Sequence, residues 1–234
     1  MSPDAQTTLL YLQLVAAERD RLRADPTLAA RVMALKLYQN RRFERSYADL
    51  LAGPDTGIAA RFFLDDLYGA KDFTARDEQF GRIVGPLDKL FPARVVRTVR
   101  DLAELHALSE RLDRHMAEVL GDARITPSSY VEAWCRVGEA ANRERQITMM
   151  TTIGGALVHY TRDAWLRRSL RLMRTPARLA GLEALHGFLE RGYDSFAAMR
   201  EPQAFLDTIA ARERALGRLL FTQPARWPDD LPPA

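Results

Sequence analysis

The sequence predicts an all-α fold, a single compact bundle of about ten helices. Three observations support this prediction. Apolar residues recur at helical spacing along most of the chain. No segment shows the strict apolar and polar alternation that is typical of strands. Prolines follow helix-capping residues at three places, Asp25-Pro26, Thr126-Pro127 and Thr175-Pro176. Proline is favoured in a helix's first turn because its missing N–H would have no partner there.

These patterns place the individual helices. We predict helices over residues 4–23, 26–51, 56–68, 74–84, 93–120, 127–141, 143–160, 163–173, 176–191, 193–199 and 202–221. Helix ends are predicted at the glycines Gly53, Gly69, Gly121 and Gly192. The segment Thr74-Ala75-Arg76-Asp77 resembles a capping box at a helix start. We expect one helical domain over residues 1–221 and an irregular proline-rich tail over 222–234.

Composition excludes several classes of protein. Apolar residues make up 47% and charged residues 28%, which is typical of a globular protein and argues against disorder. No run approaches the ~20 apolar residues of a membrane span. The single cysteine, Cys135, has no intrachain disulfide partner, which favours a reducing cytoplasm.

The charge does not point clearly to nucleic acid. Basic residues number 34 and acidic residues 31, for a net charge of +3. The one local excess lies between Arg162 and Arg178, where six arginines face only Asp163. We interpret this stretch as a solvated helix face, and nucleic-acid binding as the less favoured alternative.

Residues 58–68 are predicted to form the centre of the fold. The apolar side chains of Phe62, Phe63 and their neighbours point in nearly every direction around the helix axis, so several other helices must cover them. Asp65 and Asp66 share one sector of this helix. Either that sector reaches water or the pair meets arginines inside the protein.

The same segment carries a resemblance to a known family. The sequence Phe62-Phe63-Leu64-Asp65-Asp66-Leu67-Tyr68-Gly69, followed by Lys71-Asp72-Phe73, resembles the motif of an uncharacterised bacterial all-helical family with an FFLEELY-type motif. Aspartates stand here where that motif has glutamates. Weaker resemblance extends through residues 143–146 and 188–192. The resemblance implies a helical fold and a bacterial origin, and it implies no activity, cofactor or catalytic residue.

His106 is the first candidate for chemistry. It lies on the apolar face of the helix 93–120, with Glu110 four residues further on. A buried histidine beside a carboxylate can act as a general base, a proton relay or an axial haem ligand. More often such a histidine is a hydrogen-bonded core residue.

A narrow stripe on the helix 143–160 is the second candidate. Polar or small residues recur there at helical spacing: Thr148, Thr152, Gly155 and His159. Gly154 and Gly155 each cost a helix ~1 kcal/mol relative to alanine, so a pocket or a closely packed neighbour must offset them. Close helix packing is the favoured explanation.

These observations favour binding over catalysis. We predict a non-enzymatic helical protein–protein interaction or scaffold protein, with self-association as one form of it. The alternative is a small-molecule- or cofactor-binding bundle, with enzymatic activity as one version, whose pocket lies near His106 and His159. The cofactor is left open, and no catalytic or metal residue is predicted, since a di-metal bundle needs two Glu-x-x-His pairs and the chain has only Glu183 and His186. The candidate pocket or binding residues are Phe62, Asp65, Asp66, Tyr68, His106, Thr148, Thr152, Gly155 and His159.

Overall fold

A computed structural model of the chain describes residues 1–67, 69, 71, 73–122 and 124–222. Over these residues the fold is all-α and contains no strand, as predicted. The helices run in chain order as α1 Pro3–Ala24, α2 Pro26–Ser46, α3 Ala48–Ala52, α4 Gly57–Phe62, a π-helical segment Phe63–Leu67, α5 Thr74–Leu90, α6 Ala93–Leu120, α7 Pro127–Val137, α8 Ala140–Thr161, α9 Ala164–Leu179, α10 Glu183–Ala197 and α11 Pro202–Thr222.

The long helix α6 lies at the centre of the bundle. It packs against α1, α2, α5, α7 and α8. Its buried face includes Leu112 and Met116, which have no exposed surface. Small residues such as Ala103 and Ala107 share that face, so neighbouring helices can approach it closely.

The apolar core forms three clusters around this helix. The largest contains Phe62 and Phe63, packed with rings from α10 and α11. A second gathers Tyr38 and Tyr130 beside the C-terminal half of α6. A third joins α1 and α5 to the start of α6. The prediction that the segment 58–68 is interior is confirmed for Phe62, Phe63 and Leu64, which are all buried, and it is wrong for Ile58 and Leu67, which are 63% and 36% exposed.

Two of the three predicted proline-marked helix starts are confirmed. The Asp25 carboxylate accepts a hydrogen bond of 2.9 Å from the Leu28 N–H at the start of α2. At α7, the Thr126 hydroxyl accepts from the Ser129 N–H at 3.1 Å, and the Ser129 hydroxyl accepts from the Thr126 N–H at 2.9 Å. Both pairs satisfy amide groups that have no partner within the helix.

The predicted break at Thr175-Pro176 is wrong. Pro176 lies inside α9, which ends after Leu179, and Gly181 turns the chain with φ +66°. Proline removes one hydrogen bond, to the carbonyl four residues earlier, and here that residue is Leu172, which is 70% exposed. Gly192, predicted as a helix end, lies inside α10.

Other boundaries also differ from the prediction. The helix over 26–51 is divided at Tyr47, α5 continues past Pro86 to Leu90, and residues 193–197 belong to α10. The predicted capping box at Thr74 is wrong, because Asp77 is used for ion pairs to other helices instead. Thr222, the first residue of the predicted tail, is the last residue of α11. Tyr68 and residues 223–234 of the predicted tail lie outside the described residues.

The two adjacent glycines of α8 allow a test of its packing. A Cβ at Gly154 would lie 2.5 Å from Cδ2 of the fully buried Leu206 of α11, whereas a Cβ at Gly155 meets nothing within 4 Å. We expect Gly154→Ala to lower the free energy of unfolding by about 1–3 kcal/mol through overpacking. We expect the control Gly155→Ala to raise it by up to about 1 kcal/mol, because alanine favours the helix. Urea denaturation of both variants measures this, and equal effects would contradict the close contact.

Candidate functional site

The candidate site is a buried charge network between α1, α5 and α6, centred on Asp77. The Asp77 carboxylate forms an ion pair with Arg19 of α1, accepts a hydrogen bond of 2.9 Å from Nε of Arg76, and lies 2.7 Å from Nε2 of His106. Burial by itself would raise the pKa of Asp77. The hydrogen bond from His106 and the positive charges of Arg76 and Arg19 outweigh burial and hold that pKa well below its usual range.

The network continues along α6 towards α2. Nδ1 of His106 lies 3.9 Å from Oε1 of Glu110, and that carboxylate accepts a hydrogen bond of 2.6 Å from Nζ of Lys36. Burial favours protonation of Glu110, but the charges of Lys36 and His106 lower its pKa. Four helices are therefore joined through alternating charges.

Asp113, one turn further along α6, has a different environment. Its carboxylate accepts a hydrogen bond of 3.2 Å from the Gln39 side chain, and burial raises its pKa. Nearby, the guanidinium of Arg143 stacks 4.1 Å from the centre of the Trp134 ring. Within the described part of the chain, Nε and Nη2 of Arg143 have no hydrogen-bond partner, and burial lowers the pKa of Arg143.

The FFLDDLYG segment is tied to this network by its backbone. A π-helical turn leaves carbonyl groups that side chains can bind. The side-chain amide of Asn40 donates to the carbonyl of Leu64 at 2.9 Å, and Arg76 donates to the carbonyl of Asp66 at 3.0 Å. The Asp66 carboxylate pairs with Arg191 of α10 at 2.6 Å, so at least one of the two aspartates meets an arginine. Asp65 is half-buried.

The second candidate stripe is not brought to His106. Thr148, Thr152 and His159 are exposed on α8. The hydroxyls of the two threonines bond within α8 itself, to the Glu144 carboxylate and to the carbonyl of Thr148. The expected pocket wall therefore faces solvent. Gly155 has open space beside it, while Gly154 makes the close helix contact.

Two surface depressions in the described residues lie elsewhere. One, of about 260 Å³, lies between α2 and α11 and is lined by Arg42, Tyr47, Glu213 and their neighbours. The other, of about 300 Å³, lies between α9 and α10. Neither is lined by His106 or His159, the residues around which a pocket was expected.

Of the residues in this network, His106 and Glu110 were predicted from the sequence, whereas Asp77, Arg19 and Lys36 were not. One signal was available for Asp77. It lies three residues before Phe80 and seven before Val84, which places a carboxylate on the apolar face of α5. A carboxylate bound by two arginines and an imidazole is a weak base, so Asp77 is suited to holding helices together rather than to accepting a proton.

Exposed large apolar side chains mark two outer faces. The first, which we call the hairpin face, lies on α1 and α2 and contains Leu10, Leu14, Met33 and Leu37, each between 42% and 60% exposed. The second, the α9 face, contains Trp165, Leu172 and Leu179. In the part of the chain that is described, no helix has the length and apolar character that crossing a membrane requires.

Comparison with known proteins identifies the family. Residues 18–226 match the family described as a domain of unknown function, DUF8198, and the chain belongs to this family. The chain matches no curated protein and no solved structure.

Replacing the two buried aspartates of the network tests their opposite environments. We expect Asp77→Asn to lower the free energy of unfolding at neutral pH by about 3 kcal/mol, the lower end of the range for a buried ion pair, because it leaves two half-buried arginines without their carboxylate. We expect Asp113→Asn to be neutral or stabilising, since the amide keeps an acceptor for Gln39 and removes a poorly compensated buried charge.

The pH dependence has a definite sign. The pKa of Asp77 is lower in the folded than in the unfolded chain, so its contribution to stability is present above about pH 4, the unfolded pKa, and is lost as the pH falls towards the folded value. Urea unfolding of wild type and Asp77→Asn should therefore differ at pH 7 and converge in acid. Equal costs for the two aspartate variants at pH 7 would contradict this assignment.

Proposed function

We propose that this protein is a non-enzymatic helical protein–protein interaction or scaffold protein of a bacterial cytoplasm, and that it binds its partner on the hairpin face. The resemblance to the FFLEELY-type family supports the bacterial origin. The lone, half-buried Cys135 supports a reducing compartment.

The observation that carries the proposal is the chemistry of the hairpin face. Residues 5–17 of α1 contain no charged side chain. Between the four exposed apolar side chains of this face lie small exposed residues, Ala17, Ala30 and Ala34. A soluble monomer rarely leaves an uncharged apolar surface of this kind uncovered.

The charged residues of α2 between positions 30 and 37 do not interrupt the face, and the exposed Arg41 lies one turn beyond its end. Arg31 forms an ion pair with Asp122 at 2.8 Å, and Lys36 turns inward to Glu110. Interfaces between subunits have apolar centres from which charged residues are depleted. An uncharged surface also does not repel a copy of itself, so a second copy of the chain is the first partner to test.

The ligand-binding alternative has less support. It requires a cavity beside His106 or His159. Nε2 of His106 is engaged by Asp77 at 2.7 Å, Nδ1 lies 3.9 Å from the Glu110 carboxylate, and His159 is exposed on α8.

Charge placed on the hairpin face should abolish the association. We expect wild type to show a concentration-dependent mass above the 26.5 kDa of one chain in light scattering after gel filtration. The double variant Leu14→Glu with Leu37→Glu should stay at the mass of one chain, because two charges would be buried without partners. Both side chains are exposed, so the fold should survive, which circular dichroism checks.

The matched control is Ile58→Glu, which places the same charge at a side chain 63% exposed on α4. It should associate like wild type. If wild type is monomeric at all concentrations, its partner is a different protein. Immobilised wild type and immobilised Ile58→Glu should then retain a protein that the double variant does not retain. The proposal would be overturned if wild type is monomeric and if it also captures no protein that the double variant fails to capture.

A further inference from the structure

The helix α9 lies at the edge of the bundle and is largely uncovered. It packs against α8 and α10, and Ala177 is its only buried residue. Its sequence from Ala164 to Leu179 contains five arginines and no acidic residue. The exposed part of this helix has two sectors of different chemistry, and neither takes part in the buried network or the hairpin face.

The first sector is an apolar stripe. Trp165, Leu172 and Leu179 follow one another at intervals of seven residues and are 48%, 70% and 81% exposed. Seven residues are close to two helical turns, so the three side chains line up over about 21 Å. The Phe91 ring contacts the Trp165 ring at 5.6 Å, which brings the exposed Leu90 to the same end of the stripe.

The second sector is basic. Arg174 forms an ion pair with Glu190 at 2.9 Å. The other four arginines are exposed, and none of them makes an ion pair with any described residue: Arg167, Arg168, Arg171 and Arg178. Arg168 lies only about 40° around the helix from Leu172, so its guanidinium borders the stripe.

We propose that α9 is an interfacial helix that binds an anionic lipid surface. Tryptophan and leucine beside a cluster of arginines are the composition of helices that lie in the plane of a membrane surface. The stripe would enter the boundary between headgroups and acyl chains, while the arginines contact lipid phosphates.

The geometry favours this partner over the other acidic ones. A nucleic-acid backbone would engage the arginines but would leave Trp165 and Leu172 exposed to water. The stripe is one residue wide and lies on the convex surface of a helix. A lipid surface is deformable and can close around such a stripe. This surface is separate from the hairpin face, so the inference does not depend on the proposed function.

Vesicle flotation of the full chain tests the proposal. We expect wild type to float with vesicles of phosphatidylcholine containing phosphatidylglycerol, to be released by high salt, and to ignore vesicles of phosphatidylcholine alone. Leu172→Glu should reduce binding more than tenfold. Arg168→Gln with Arg171→Gln should reduce it by about 25-fold, at roughly fivefold for each arginine.

Two controls match these variants. Ile58→Glu places the same charge on an exposed apolar residue of α4, and Arg41→Gln with Arg61→Gln removes two exposed arginines from α2 and α4. Both should bind like wild type. Tryptophan fluorescence should shift to shorter wavelength on binding, and Trp165→Phe should remove that shift.

Absence of binding to the anionic vesicles would overturn the proposal. Binding that Leu172→Glu leaves unchanged would overturn it as well, because charge alone would then explain the contact. Tight binding to duplex DNA without binding to vesicles would assign the arginines to nucleic acid instead. Light scattering tests the hairpin face and vesicle flotation tests α9, so the failure of one proposal does not affect the other.

Discussion

The ion pairs of the Asp77 carboxylate are the constraint on which the arrangement of the bundle depends. A buried carboxylate must be matched by cations and hydrogen-bonding groups, and here its partners come from α1, α5 and α6 at once. Sliding any of these helices by one turn would separate a charge from its partner at a cost of several kcal/mol. Apolar contacts tolerate such shifts more easily, because one leucine can replace another. The network therefore specifies the register of the helices, while the apolar clusters supply most of the burial energy.

The FFLDDLYG segment depends on the same constraint. Arg76 binds Asp77 through its Nε and the carbonyl of Asp66 through its Nη1, so one side chain links the network to the π-helical turn. The turn is also held by Asn40, and Phe62 fits against Gly192, where an added Cβ would lie 3.0 Å from the ring. Glycine at position 192 therefore gives room to the ring of the motif and does not mark a helix end. The segment is thus an organising element of the core.

Local signals in the sequence predicted most of the helices, but they could not predict tertiary contacts. The predicted bounds of α6 agree with the structure, because its amphipathic pattern and Gly121 are local. The predictions at Pro176 and Gly192 were wrong, because the exposure of α9 and the ring of Phe62 decide the roles of these residues, and neither can be read from the local pattern. His106 could be singled out by its position on an apolar face. Its partner Asp77 is 29 residues away and was not predicted, since helical spacing does not say which buried charges meet.

The network also accounts for the chemistry of the outer surface of α1 and α2. Glu18 pairs with Arg114, Arg19 with Asp77, and Lys36 with Glu110, so these charged residues turn towards α5 and α6. Between the exposed charged residues near the ends of the hairpin, the opposite sides of the two helices carry exposed leucines. A protein that needed only to remain folded in water would gain from the reverse arrangement, because buried charges lose hydration and exposed leucines gain nothing. Packing within one chain does not explain a hairpin with charges inside and leucines outside, whereas a partner that covers the leucines does.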